Sequence, residues 1–327
     1  MENLLIQDIE TVLATKADYP GIKKLLLDYY KELGWSHEYI DWQYLQNPAG
    51  PAKCWIAKVQ SEVIALYVAI PHFIDCDGVT SLGWRVQDVL THPKYQGMGL
   101  YSKLSNMANS FLKNEKFPAN FTFPNEKSHS GFMRRNWMNP NRIPLWTINS
   151  FSQGKLSQSN LEIETISTFS ESDFEVWKSY SSTVRFGVQR SASYLNWRYT
   201  AKPNGGYSAF RLKKGGKTAI CILKIFSKSA EEKYAHLCDI FYESSFEAIP
   251  DLVKFFLKFS ADNGAKMAST WSQPEAPLSA QLRNSGFTLN DQLSRWHVLN
   301  FNNPALSVSD VKSSANWHIS MGDSDVY

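Results

Sequence analysis

Between Leu90 and Tyr101 the chain reads Leu-Thr-His-Pro-Lys-Tyr-Gln-Gly-Met-Gly-Leu-Tyr, with two closely spaced glycines following an apolar run from Val86 to Leu90. Without Cβ atoms at Gly97 and Gly99 the backbone can turn tightly and bring successive N–H groups up to an anion. The apolar residues that follow, Leu100, Leu104, Met107 and Phe111, have helical spacing. A helix starting there adds unsatisfied amides and a positive dipole end, which suits a phosphate or pyrophosphate. A dinucleotide fingerprint would need a third glycine where Ser102 stands, and a Walker loop would need Gly-Lys-Ser/Thr. A plain strand-to-helix turn is the alternative reading.

Few nearby groups can move a proton. Asp88 shares a strand face with Val86 and Leu90, where an apolar setting favours the protonated carboxyl; it could relay a proton or pair with a Lys or Arg. His129 falls at the start of a helix, where an imidazole can take an amine proton near neutral pH. Glu126 suits the first turn of the same helix as a dipole partner. His72 and His92 each adjoin a proline, and backbone geometry is enough to account for them. No Ser-His-Asp or Cys-His constellation appears at motif level, so a covalent enzyme intermediate is not favoured.

These residues belong to a repeated unit. Tyr39-Ile40-Asp41-Trp42-Gln43-Tyr44 returns as Tyr194-Leu195-Asn196-Trp197-Arg198-Tyr199, each followed by a Pro/Asn/Gly turn and two strands. The expected strands are Cys54–Val59 and Val63–Ile70, then Tyr207–Leu212 and Thr218–Phe226, with hairpin turns at Asp77-Gly78 and Gly215-Gly216. The next strand of each copy carries an acid, Asp88 or Asp239. A helix, a short strand and a second helix follow, ending at Trp137 or Phe287. Acid to closing aromatic is 49 residues in one copy and 48 in the other, which points to internal duplication. Trp42 and Trp197 read as core anchors, and the Ser/Gln/Asn-rich stretch 149–160 as the boundary.

This order of elements resembles a domain of the GNAT acetyltransferase superfamily, in tandem with a second one. The glycine turn matches the family's pyrophosphate pattern Gln/Arg-x-x-Gly-x-Gly/Ala at Gln96 and Gly99 and departs from it at Tyr101. The likeness is strongest from Trp84 to Trp137, and the repeat extends it over nearly the whole chain. It implies two tandem GNAT-like α/β domains, each a mostly antiparallel mixed sheet flanked by helices. Residues 1–152 would bind acyl-CoA. Residues 153–327 would be a degenerate copy, with Glu243-Ser244-Ser245 where a phosphate would sit, completing the acceptor site.

By this resemblance the main chain of Val89, Leu90 and His92 holds the pantetheine arm. Gln96, Gly97, Met98, Gly99, Leu100 and Tyr101 take the pyrophosphate. Lys94 and Lys103 are either phosphate partners or solvated charges. The family's Asn-x-x-Ala-x-x-x-Tyr-x-x-x-Gly-Phe spacing is met by Asn125, Ser128, Phe132, Asn136 and Trp137. Asn125 and Ser128 are thus assigned to the donor site, with helix capping the alternative for Asn125. Phe132 replaces the tyrosine often used as general acid, which leaves Asp88 and His129 as catalytic candidates. The repeat motif and the ending Trp317–Tyr327 resemble tandem GNAT enzymes that acylate nucleotide-linked amino sugars in surface-polysaccharide assembly. The resemblance therefore implies an N-acyltransferase using acetyl-CoA or another short acyl-CoA, without a metal. Another amine acceptor, or a non-catalytic acyl-CoA-binding module, are the alternatives.

Composition bounds these expectations. A length of 327 residues suits two domains, and a net charge of +3 argues against a broad nucleic-acid or membrane footprint. The four cysteines form neither a CxxC pair nor a zinc spacing, and read as reduced core residues. With no basic-then-apolar leader, the expectation is a soluble cytoplasmic protein.

Overall fold

The computed structural model describes residues 8–114, 120–149, 160–229, 231–300, 307–324 and 326–327. The chain divides into two compact units. The expected division between residues 152 and 153 lies outside the described residues. The first unit takes its described residues from 8–73, 81–122 and 299–300; the second takes them from 74–80, 123–298 and 307–327.

The first unit runs β1 (Ile9–Leu13), α1 (Tyr19–Tyr29), α2 (His37–Leu45), β2 (Lys53–Val59), β3 (Glu62–Cys76), β4 (Val79–Thr91), α3 (Leu100–Asn114) and β5 (Asn120–Thr122). Its strands lie in the order β1-β2-β3-β4-β5, with β1, β2 and β3 antiparallel and β4–β5 parallel. Strand β3 is buried without interruption from Val63 to His72, because helices cover both faces of the sheet. On one face Leu66, Val68 and Ile70 pack with Ile22, Leu26 and Ile40 of α1 and α2. On the other, Phe111 of α3 meets the rings of Trp55 and Trp84 edge-on at 5.6 and 5.7 Å. The inner stripe of α3 is Leu100, Leu104, Ala108 and Leu112, all buried. Each leucine contributes about 1.5–3 kcal/mol by leaving water, which fixes where the helix begins.

The second unit continues with α4 (Glu126–Met133), β6 (Met138–Ile148), β7 (Glu162–Ile166), α5 (Glu171–Ser181), β8 (Phe186–Val188) and α6 (Ala192–Leu195). It is completed by β9 (Tyr207–Lys214), β10 (Lys217–Ser227), β11 (Lys233–Tyr242), α7 (Ile249–Asp262), β12 (Met267–Trp271), α8 (Pro277–Asn284), β13 (Thr288–Asn300), α9 (Val308–Lys312) and β14 (Trp317–His318). Its main sheet has the order β6-β12-β11-β10-β9-β7, with β11–β12 parallel and β6 antiparallel to β12. Although β6 belongs by sequence to the first copy, it is thus a strand of the second unit. Leu252, Val253 and Phe256 of α7 fill the core over β10 and β11.

The repeat survives at the level of single contacts. Trp42 and Trp197 are both buried, each against the tyrosine three residues before it. After α4 the Trp137 amide donates to the Phe132 carbonyl (3.3 Å), and after α8 the Phe287 amide donates to the Leu282 carbonyl (3.0 Å). The residue before each closing aromatic has positive φ, Asn136 at 61° and Gly286 at 91°. Helices that end in a left-handed residue satisfy their last carbonyls this way. The hairpins turn at Asp77-Gly78 and Gly215-Gly216, all four at positive φ. All four cysteines are buried and unpaired.

Candidate functional site

The glycine turn lies between the end of β4 and the start of α3. Gly97 and Gly99 take φ of 81° and 72°, and a Cβ on either would meet nothing within 4 Å. The loop therefore presents bare backbone to solvent beside the first turn of α3, whose amides have no intrahelical acceptor. Two side chains hold the loop in shape: the Gln96 amide donates to the Thr91 carbonyl (3.2 Å), and His92 Nδ1 accepts from the Lys94 amide (3.3 Å). The His92 amide itself donates to the Ile64 carbonyl (2.8 Å), and its carbonyl accepts from Tyr95 (2.9 Å). A cavity of about 70 Å³ opens behind the loop, lined by Leu66, Tyr67, Val89, Leu90, Thr91, Tyr101 and Leu104. The structure thus brings Val89, Leu90 and Tyr101 together on one cavity beside the loop Gln96–Leu100, while the main-chain N–H and C=O of His92, expected to face a ligand, are engaged by Ile64 and Tyr95.

Asp88 sits just upstream at φ 49°, in a left-handed conformation that a non-glycine residue adopts only where its surroundings hold it. The setting is not the apolar one expected from its strand neighbours. Oδ2 accepts from the Tyr44 hydroxyl (2.7 Å) and Gln87 Nε2 (2.7 Å), and Oδ1 from the Tyr30 hydroxyl (2.9 Å). Burial, then the Asp88 charge, push the Tyr44 phenol well above its ordinary range. Burial raises the Cys54 thiol to about 12, with Asp88 the second cause. Strand alternation missed the tyrosines because they come from helices, but the repeat carried a signal for Tyr44. Its counterpart Tyr199 donates to Asp239 at the same 2.7 Å.

Asn125, Ser128 and His129 lie on or beside α4, in the second unit. Asn125 Oδ1 accepts from the Ser128 amide (3.0 Å) and the Ser128 hydroxyl (3.1 Å), so both residues form the helix cap. His129 is half-buried in the first turn, and Glu126 meets Arg142 at 3.3 Å on the surface. Phe132 is buried against Trp137 with ring centroids 5.0 Å apart, a packing role.

The second unit holds a larger cavity of about 410 Å³, walled by α5, the C-terminal halves of β11 and β12, the start of α8, and residues 314–320. On its wall His318 Nε2 lies 3.2 Å from Asp239 Oδ1, and Nδ1 lies 3.2 Å from the Tyr180 hydroxyl. Behind Asp239, fully buried Arg190 reaches Asp239 Oδ2 (3.0 Å), Asp323 (2.9 Å) and the Ser320 hydroxyl (2.9 Å). Burial works against ionising Asp239, but Arg190 and then His318 hold its carboxyl well below the usual range. Residues 317–324 and Tyr327 are docked on this unit. Arg198 donates to the carbonyls of Gly322 (2.9 Å), Ser324 (2.9 Å) and Tyr327 (2.8 Å). Sequence reasoning missed Tyr180 and Trp271 and reached His318 only as part of the ending Trp317–Tyr327, since nothing in spacing links an α5 tyrosine to a histidine 138 residues later.

Among the described residues no group of His, Cys, Asp and Glu could hold a metal, and no helix is long and apolar enough to cross a membrane. No protein-family model and no curated protein sequence matches the chain. Solved structures do. A GCN5-related N-acetyltransferase from Anabaena variabilis superposes with a TM-score of 0.69 at 13% identity, covering 90% of this chain and 72% of that one. A putative acetyltransferase from Pyrococcus horikoshii gives 0.57 at 11%, covering 94% of both chains. Saccharomyces cerevisiae N-myristoyltransferase with bound myristoyl-CoA gives 0.58 at 12%, covering 91% of this chain and 80% of that one. The chain therefore has the fold of the GCN5-related N-acetyltransferases, in two tandem copies.

Proposed function

We propose that the protein is an acyl-CoA-dependent N-acyltransferase. The observation that carries this reading is the open glycine turn at Gly97 and Gly99, bare of Cβ contacts and placed on the first turn of α3. Such a turn accepts a diphosphate through backbone amides. The cavity lined by Val89, Leu90 and Tyr101 lies where β4 leads into that loop, and supports their role toward the pantetheine arm. The fold likeness to acetyl- and myristoyltransferases agrees with this assignment.

In the reaction the neutral acceptor amine attacks the thioester carbonyl directly, and the thiolate leaves. A thiol of pKa ~8.5 is a tolerable leaving group without a proton donor, which fits Phe132 at the place of the usual tyrosine. Three donors hold the Asp88 carboxylate, so its first task is to tie α1 and α2 to β4, and His129 remains the more accessible base candidate. The acceptor we assign is a nucleotide-linked amino-deoxy sugar, taking an acetyl or short acyl group, with residues 1–152 serving the donor and 153–327 completing the acceptor site. This assignment follows the likeness of the repeat motif and of the ending Trp317–Tyr327. The test is release of free thiol from acetyl-CoA, screened over amino-sugar nucleotides, then over aminoglycosides, polyamines and lysine peptides. Turnover only in the later set overturns the sugar assignment. Tight acetyl-CoA binding with no turnover supports the second reading, an acyl-CoA-binding module, which the loss of the tyrosine at Phe132 favours.

A further inference from the structure

Beside the docked Tyr327, three cations of the second unit gather around one tyrosine ring. The Lys224 Nζ, the Arg198 guanidinium and the Lys202 Nζ lie 5.0, 5.5 and 5.6 Å from the Tyr207 ring centroid. Strand register dictates the meeting, since Lys224 on β10 pairs with Tyr207 on β9 and with His236 on β11. Neither Lys224 nor Arg198 meets a carboxylate among the described residues. Lys224 makes no hydrogen bond or ion pair with them, and its Nζ still touches solvent although the side chain is half-buried. Arg198 is only 3% exposed. Its Nε donates to the Gly322 carbonyl, Nη2 to those of Ser324 and Tyr327, and Nη1 to the Tyr207 hydroxyl (2.7 Å). Nη1 carries a second hydrogen, which has no acceptor among the described residues.

The other titratable neighbours bring no negative charge. Burial first and Lys224 second hold His236 down to about 4, and burial pushes the Cys238 thiol up to about 12, so both are neutral near pH 7. Burial also keeps the Tyr207 phenol protonated. Burial, and after it repulsion from Arg198, push the Lys224 ammonium down. Carboxylates do the reverse elsewhere, Asp18 raising Lys58 and Glu164 raising Lys213. Lys224 is therefore a solvent-touching amine in a setting that favours its neutral, nucleophilic form.

We propose that Lys224 is a site of reversible carboxylation, where dissolved carbon dioxide adds to the side-chain amine beside Arg198 to give a carbamate. The Nζ lone pair forms a bond to the carbon of carbon dioxide, and one C=O electron pair moves onto oxygen. The proton released from nitrogen goes to water or buffer. A cation is thereby exchanged for an anion next to Arg198, so repulsion becomes attraction. The carbamate also supplies a charged acceptor of the kind the unmatched Nη1 hydrogen lacks. The site needs neither acyl-CoA nor the acyltransferase reading.

The test equilibrates the full chain with carbon-13 bicarbonate, traps carbamates with a trialkyloxonium salt and locates them by peptide mass spectrometry. Lys224 should be trapped about tenfold more than Lys228 and Lys258, which are exposed and paired with Glu232 and Asp262. At fixed dissolved carbon dioxide, trapping should fall roughly tenfold per unit between about pH 8 and pH 6, as the amine takes up its proton. Carbon-13 spectra should show a carbamate signal in the parent that is missing from Lys224→Arg, which keeps the positive charge; near-ultraviolet dichroism checks that this variant is folded. Signals shared by the two proteins belong to other amines. Lys224 trapped no more than Lys228, trapping that ignores pH, or a carbamate spectrum unchanged in Lys224→Arg would each overturn the proposal. The comparison with Lys228 is made within the parent chain, so it holds whether or not the variant folds.

Discussion

Replacing Gly99 by Glu puts a carboxylate into the proposed diphosphate cradle, and its effects on folding and on binding separate cleanly. At φ 72° a residue with a Cβ costs about 1–2 kcal/mol of backbone energy. No steric term adds to it, because a Cβ there meets nothing within 4 Å. Against a stability of about 5–15 kcal/mol the variant stays folded. Binding pays the electrostatic part. A carboxylate that swings about 6 Å from a phosphate, at an effective dielectric near 20, is repelled by about 3 kcal/mol. That corresponds to roughly a hundredfold loss in acetyl-CoA affinity, larger in low salt. Gly99→Asn isolates the backbone term, since asparagine tolerates left-handed φ and adds no charge; it should bind within about threefold of the parent. Calorimetric titration of acetyl-CoA reads both, with a thermal melt to confirm folding. A folded Gly99→Glu protein that binds within threefold of the parent would refute the assignment of this turn to the diphosphate.

Other expectations follow from packing and titration. Phe132→Leu should retain turnover to within a few fold, while Phe132→Tyr should bring no gain and cost about 1–3 kcal/mol, because the hydroxyl enters a packed site; steady-state rates and urea melts check both. Gly322→Ala should destabilise the second unit by over about 2 kcal/mol in thermal melts, since a Cβ would stand 1.9 Å from the Tyr199 hydroxyl that donates to Asp239. His236 is held down to about 4, by burial first and by Lys224 second. Its folded value lies below its unfolded one, so its contribution is complete above about pH 6.5 and is lost as pH falls toward 4. Urea melts at pH 7 and pH 5 should differ by about 2 kcal/mol from this group, and His236→Gln should remove that part.

Much of the fold was legible because the repeat could be read twice. Each copy's apolar strands, acid-bearing strand and closing aromatic sit at matching intervals, and an error in one copy is corrected by the other. What could not be read was exchange. Strand β6 belongs by sequence to the first copy, but hydrogen-bonds β12 of the second unit from Leu145 to Ile148. Local pattern sets a strand's faces, not its neighbour. The turn at Gly97 and Gly99 was legible as a conformation, because positive φ is encoded in missing side chains. Asp88 was misread because its partners Tyr30 and Tyr44 arrive from helices that spacing along β4 cannot see. His318 was legible only as part of an unusual ending, since its meaning depends on Tyr180 and Asp239, far off in sequence.

The duplicated Tyr–Asp contact orders the rest of the evidence. Tyr44 meets Asp88 and Tyr199 meets Asp239 at the same distance, so the pair serves both copies whatever each copy does. A feature common to a copy with the glycine turn and a copy without it is best explained as scaffold, tying the repeated helix to the central strand. Function should then lie in what differs. In the first unit the difference is the open turn at Gly97 and Gly99. In the second, Glu243 occupies that place and is itself consumed, accepting from the Thr218 amide (2.6 Å). Its neighbour Ser244 donates its amide to the Ser179 hydroxyl (2.9 Å). The second unit instead adds His318 to its aspartate, on the wall of the larger cavity.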